Sequence, residues 1–135
     1  MNAATEPLKH GVVAVLQDEA GRFLFIRRAM TLKRAPGWWC FVGGEVEPGE
    51  SFPDAIRREV REEVGIVIRP LDEIHQSISP NGEFRLHWLR IAMDPPNQNL
   101  VLEPAEVAEA RWLNVSEALK LNPCLPALIT WLGEQ

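Results

Sequence analysis

The sequence predicts an α/β domain of mixed strands, and three observations predict it. Apolar, β-branched runs recur between turn signals. One amphipathic segment near the middle carries its own start and stop residues. A second apolar helical pattern closes the chain.

The elements follow in order. His10 to Gln17 reads as a strand, Asp18-Glu19-Ala20-Gly21 as a turn, and Arg22 to Arg28 as the next strand, so the pair resembles a hairpin with a longer loop. Ala29 to Gly37 is loop, punctuated by Pro36-Gly37. Trp38 to Val42 is a short aromatic strand running into a glycine loop at Gly43-Gly44. Ser51 is a good N-cap, Pro53 suits a first turn, and Gly65 suits the residue after a helix that ends at Val64. Phe52, Ile56, Val60 and Val64 form the apolar stripe of that helix. Ile66 to Ser77 and Glu83 to Met93 read as strands around an Asn81-Gly82 turn, with a Pro95-Pro96 loop after them. Ala108 to Leu113 is a short strand, and Asn114 with Glu117 suggests a capped short helix. Asn122-Pro123 opens a C-terminal helix that holds Leu125, Leu128, Ile129 and Leu132, with Pro126 tolerated in its first turn.

A length of 135 residues fits one domain, 1–135, with a proper core. The net charge of −5 argues against a nucleic-acid polymer or an anionic membrane as the main partner. Cys40 and Cys124 stand far apart and belong to no CxxC pair, which argues against a disulfide framework or zinc site and for a cytoplasmic setting. The start, MNAATEPLKHGVVAVL, has no basic opening and only a short apolar run, so no signal peptide is expected. No segment approaches the roughly 20 apolar residues of a membrane span.

The chemistry sits in Gly44 to Ile66, GEVEPGESFPDAIRREVREEVGI. Glu59, Glu62 and Glu63 stand at i, i+3 and i+4, which puts three carboxylates on one helical face. An ordinary solvated face places Lys or Arg four residues after Glu, whereas Glu59 here faces Glu63 and Glu62 faces Ile66. Like charges stacked this way are relieved by a hard divalent cation, and oxygen-only donors select Mg²⁺ or Mn²⁺ over zinc.

The stretch fits G-x5-E-x7-R-E-U-x-E-E-x-G-U, U being aliphatic, without a gap. On that ground the chain resembles the Nudix hydrolase family, MutT-like subgroup. The resemblance implies an α/β/α sandwich with a mixed β-sheet. It also implies Mg²⁺-dependent hydrolysis of the diphosphate link in a nucleoside diphosphate derivative. Carried over residue by residue, Glu59, Glu62 and Glu63 are metal ligands, with Glu62 and Arg58 among the catalytic residues. Gly44, Glu50, Arg58 and Gly65 hold the motif in shape, the arginine orienting carboxylates. Gly43 and Gly44 let backbone approach the metal and phosphates closely. Where family members commonly have Pro-Gly-Gly, this chain has Val42-Gly43-Gly44.

Outside the motif, MutT-like members carry a functional glutamate six residues before a tryptophan, and Glu106 stands six before Trp112. Glu103 and Glu109 compete for that role. Arg27-Arg28-Ala29 is similar to a run whose second arginine holds substrate phosphate, which points to Arg28. Of Trp38 and Trp39, one is expected in the core and one at the surface. His10, His75 and His87 lack metal-ligand spacing and read as structural or exposed. The expected activity is that of a MutT-like nucleoside triphosphate pyrophosphohydrolase. The alternatives are a pyrophosphatase for ADP-ribose, a nucleotide sugar or a dinucleoside polyphosphate, and a nucleotide-sensing domain without turnover. The sequence leaves base specificity and a homodimer open.

Overall fold

The computed structural model describes residues 7–135; the first six residues, which include the opening of the signal-peptide expectation, lie outside them. Seven strands and three helices follow in the order β1 (Lys9–Leu16), β2 (Phe23–Arg28), β3 (Trp39–Cys40), β4 (Gly43–Glu45), α1 (Phe52–Val64), β5 (Ile68–Ile78), β6 (Phe84–Met93), β7 (Val107–Leu113), α2 (Val115–Ala118) and α3 (Pro126–Gly133). They form a four-stranded sheet, β4-β1-β6-β5, and a three-stranded sheet, β3-β2-β7. The larger sheet is mixed: β1 runs parallel to β6 and antiparallel to β4.

Strand alternation explains the layers. Val12, Ala14 and Leu16 of β1 join Leu24 and Ile26 of β2 in one core, packed with Ile56, Val60 and Val64 of α1. Val15, Phe23 and Phe25 point the other way, into a second core with Leu128, Trp131 and Leu132 of α3. The strands therefore lie between α1 and α3, which gives the expected α/β/α sandwich. Ile56, Val60 and Val64 are at most 1% exposed, and burying each is worth about 1.5–3 kcal/mol. Phe41 stands at the centre of the second core, 5.0 Å from Phe25 and 5.6 Å from Trp131 between ring centroids.

α1 begins where the sequence places it. The Ser51 hydroxyl accepts from the Asp54 amide at 3.2 Å. Its end is equally local: Gly65 adopts φ 71°, and its amide reaches the carbonyls of Arg61 and Val60. Asn114 and Glu117 form the expected reciprocal cap on α2. Trp39 is buried and Trp38 half-buried, as expected of the pair.

Three expectations are corrected. β1 and β2 share only the bridge between Gln17 and Phe23, because β6 and β4 occupy the two edges of β1. The Asp18 carboxylate accepts from the amides of Ala20 and Arg22, and this turn hands the chain from one sheet to the other. Gly43-Gly44 is a strand rather than a loop, with Gly44 opposite Val12. The last helix begins at Pro126, not at Asn122-Pro123. Trp39 claims the preceding backbone, donating to the Pro123 carbonyl at 2.8 Å and accepting from the Leu125 amide at 3.2 Å.

The histidines fall as read, with one addition. His87 is buried, with Nδ1 2.7 Å from Glu73 Oε1 and Nε2 2.9 Å from His10 Nδ1. Its ring stacks on Phe52 at 4.1 Å, which ties the start of α1 to the sheet.

Candidate active site

The motif helix lays its polar edge along a cleft of about 740 Å³. Ile26, Arg28, Gly43, Gly44, Glu59, Glu62, Glu63, Glu103, Ala105 and Glu106 line it. Four elements meet there: the end of β2, β4, the second half of α1 and the turn before β7. Of the expected residues, Arg28, Gly43, Gly44, Glu59, Glu62, Glu63 and Glu106 come together. Glu103 joins them. Glu109 does not: it lies on β7, paired with Arg111 at 2.8 Å.

Each glutamate of α1 has a different setting. Glu62 is exposed and Glu59 half-buried, while Glu63 is only 8% exposed. Burial raises the affinity of both Glu59 and Glu63 for a proton. For Glu63, the hydrogen bond with Glu59, then the charges of Glu59 and Glu106, push the same way. Glu63 Oε2 is buried with no hydrogen-bond partner among the described residues. A buried carboxylate oxygen left alone is costly, and a cation is the partner that relieves it.

Arg58 stands behind the glutamates rather than among the lining residues. Its Nε and Nη2 donate to the two oxygens of Glu50, both at 2.9 Å. Nη2 also reaches the Glu45 carbonyl at 2.9 Å. Nη1 donates to Glu59 at 2.8 Å and to Glu62 at 3.3 Å. One guanidinium thus fastens the loop after β4 to the carboxylate face, a bidentate role lysine cannot fill. These contacts hold Glu50 down at about 2, the Arg58 hydrogen bonds being the largest cause. The ionised Glu50 therefore stabilises the fold above its ordinary value of 4.5 and loses that contribution as pH falls toward 2. Melting curves between pH 5 and 2.5 are expected to show this loss in the wild type and not in Glu50→Gln.

Gly44 completes the wall opposite Glu59. A Cβ there would run into the Glu59 carboxylate group. Gly44→Ala is therefore expected to displace that carboxylate and weaken divalent-cation affinity by about 10- to 100-fold, the range for disturbing the support of a ligand. Equilibrium titration with Mn²⁺ measures it, and an unchanged affinity would contradict the geometry.

The turn before β7 is tied down at both ends, not a flexible loop. The Glu103 amide donates to the Glu63 carbonyl at 3.0 Å, and the Glu106 carbonyl accepts from the Ala29 amide at 2.9 Å. Glu103 Oε1 turns back to the Ala105 amide at 3.2 Å. No described residue donates to the Glu106 carboxylate, which leaves it available to the cleft. Among the described residues no three of these groups already stand as a formed metal site. Arg58 holds Glu59 and Glu62, and Glu59 shares a hydrogen bond with Glu63. The donor set nevertheless fits a hard cation in its all-oxygen chemistry and in the unpartnered Glu63 oxygen.

The NUDIX domain model matches residues 7–132. The chain belongs to the NUDIX family. This Nudix chain is 29% identical to an isopentenyl-diphosphate Delta-isomerase of Burkholderia multivorans, over all of this chain and 74% of that protein. It is 37% identical to the NAD-capped RNA hydrolase NudC of Stutzerimonas stutzeri over 95 residues, which is 69% of this chain and 32% of that one. The Nudix chain thus spans about a third of the length of NudC. The crystal structure of a MutT protein from Methanosarcina mazei Go1 superposes with a TM-score of 0.82 at 25% identity, covering 96% of this chain and 94% of that one. The protein is accordingly a MutT-like Nudix enzyme, with relatives named as hydrolases.

Sequence reasoning placed no role on Glu103 beyond that of a competitor, nor on Ile26 and Ala105. The last two line the cleft, and no residue-type signal marks them. Among the described residues, no helix is long and apolar enough to cross a membrane.

Proposed function

We propose that the cleft hydrolyses the diphosphate link of a nucleoside diphosphate derivative, with a nucleoside triphosphate as first choice. The observation that carries this reading is the buried, unpartnered Oε2 of Glu63 beside Glu59, Glu62 and Glu106. Mg²⁺, or Mn²⁺ in its place, would be held by Glu59, Glu62 and Glu63. When bound, such a cation supplies neutralisation of diphosphate charge and a water of lowered pKa. The chain's own residues do the rest. Arg28, which also lines the cleft, holds a phosphate oxygen. Glu106 takes the proton of the attacking water. Gly43 and Gly44 let the diphosphate lie close to the backbone. Arg58 is a positioning residue that keeps Glu59 and Glu62 on the cleft side of α1. Residues 1–135 act as one domain in this scheme.

The intact motif supports turnover over nucleotide sensing. The two relatives named above carry out different reactions by name, isomerisation and hydrolysis, so the substrate is settled by assay. A Mg²⁺ panel of nucleoside triphosphates, ADP-ribose, nucleotide sugars, dinucleoside polyphosphates and isopentenyl diphosphate tests the proposal. Release of phosphate or pyrophosphate, or a nucleotide product, is expected from a member of the first four groups. Isomerised isopentenyl diphosphate with no hydrolysis of the others would overturn it.

A further inference from the structure

The cleft is acidic, and a run of cations is joined to it through Arg28. Five glutamates line the cleft, and Arg28 is the only cation among its described lining residues. From Arg28 a series of contacts runs outward through more cations. Arg28 Nε donates to the Arg34 carbonyl at 3.0 Å. The Arg34 guanidinium lies 3.8 Å from the Glu83 carboxylate. The Lys9 amide donates to the Glu83 carbonyl at 3.0 Å, and the Lys9 ammonium sits 5.8 Å from the centre of the Phe84 ring. Lys33, next to Arg34, is exposed. Arg28, Arg34 and Lys9 thus lie along one series of contacts that includes the Glu83 carboxylate, with Lys33 beside Arg34 in sequence, in a chain whose net charge is −5. Arg28 and Arg34 belong to a shaped wall rather than a loose segment. Arg27 Nε donates to the Gly37 carbonyl at 3.1 Å, and the Gly37 amide donates to Arg28 at 2.9 Å. Ala35 is held at φ 43°, a conformation a residue with a Cβ keeps only when its surroundings fix it.

We propose that Lys33, Arg34 and Lys9 form a subsite, continuous with Arg28, for the leaving group X, and that the preferred X carries phosphate groups beyond the scissile diphosphate. This rests on the reading of the cleft as a pyrophosphohydrolase site. The acidic floor repels any phosphate not neutralised by metal, so extra phosphates gain energy only on the cationic side. A substrate whose X ends in a neutral sugar gains nothing there. The strip sorts substrates by the charge of X and leaves the base unread.

The test compares diadenosine tetraphosphate with ADP-ribose in the wild type and in Lys33→Gln/Arg34→Gln. The Arg34 carbonyl that anchors Arg28 survives that change. The double variant is expected to raise KM for the tetraphosphate by roughly tenfold with kcat unchanged, the scale for losing two exposed charge contacts. KM for ADP-ribose should move by less than about twofold. Glu83→Gln should lower KM for the tetraphosphate alone. Equal shifts on both substrates, or none on either, would overturn the subsite. A second readout is independent of turnover: binding of inorganic tripolyphosphate at low salt without divalent metal. The wild type should bind, and the double variant should bind more weakly and with less sensitivity to salt. Identical binding by the two proteins rejects the strip even if no diphosphate is hydrolysed. Weaker binding by the variant upholds it, so the strip and the cleft reading fail separately.

Discussion

Glu62→Gln and Glu63→Gln are each expected to lower turnover by about 10²-fold or more at saturating Mg²⁺, the scale of losing metal activation. Glutamine keeps the size and helix propensity of glutamate and removes only the charge. The two variants should separate in a second measurement. Glu62 is exposed and accepts from Arg58 at 3.3 Å, so its loss leaves the fold unchanged. Glu63 is buried, with burial and Glu59 opposing its ionisation. Glu63→Gln should therefore melt at a higher temperature than the wild type in metal-free buffer near pH 8, because the folded wild type must there hold on Glu63 a proton that the unfolded chain releases, and glutamine needs none. The sign follows from linkage: a carboxyl whose proton affinity is raised in the folded state costs stability as pH climbs above its ordinary value of 4.5. Near-wild-type turnover in both variants would end the metal assignment.

Glu106→Gln carries the second large effect, a fall in turnover of about 10- to 10⁴-fold, the range for losing general-base help. Its carboxylate lines the cleft and draws no hydrogen bond from a described residue, while its backbone is fixed by Ala29. The side chain can therefore change without moving the turn, and the melting temperature should hold. Glu103→Gln should cost far less, because that carboxylate is occupied by the Ala105 amide. Glu109→Gln should leave kcat alone, since Glu109 faces Arg111 outside the cleft. A crippled Glu103→Gln beside a fully active Glu106→Gln would reverse the assignment.

What could be read from the sequence was local. Ser51, Pro53 and Gly65 fix both ends of α1 through caps and backbone angles, and the structure follows them to the residue. The carboxylate face needs only helical spacing, so Glu59, Glu62 and Glu63 were legible as a set. Pairing between distant strands was not. Nothing near Leu16 says that β6, some seventy residues later, takes its edge, so a turn that joins two sheets reads as a hairpin. Gly43-Gly44 reads as loop because glycine is a turn residue, and its role as a strand against Val12 depends on a partner brought by the fold. The start of α3 was missed for the same reason: the backbone before Pro126 belongs to Trp39. Spacing from Trp112 picked Glu106 from three candidates but could not say that Glu109 turns away; strand register decides that.

The central claim is that this cleft breaks a P–O–P link by attack of water at phosphorus. The most direct measurement is hydrolysis in H₂¹⁸O with the products followed by ³¹P NMR, with and without Mg²⁺. The label is expected in a phosphoryl product, and only when the cation is present. Label at a sugar carbon, turnover that ignores Mg²⁺, or accumulation of a covalent phospho-enzyme would contradict it.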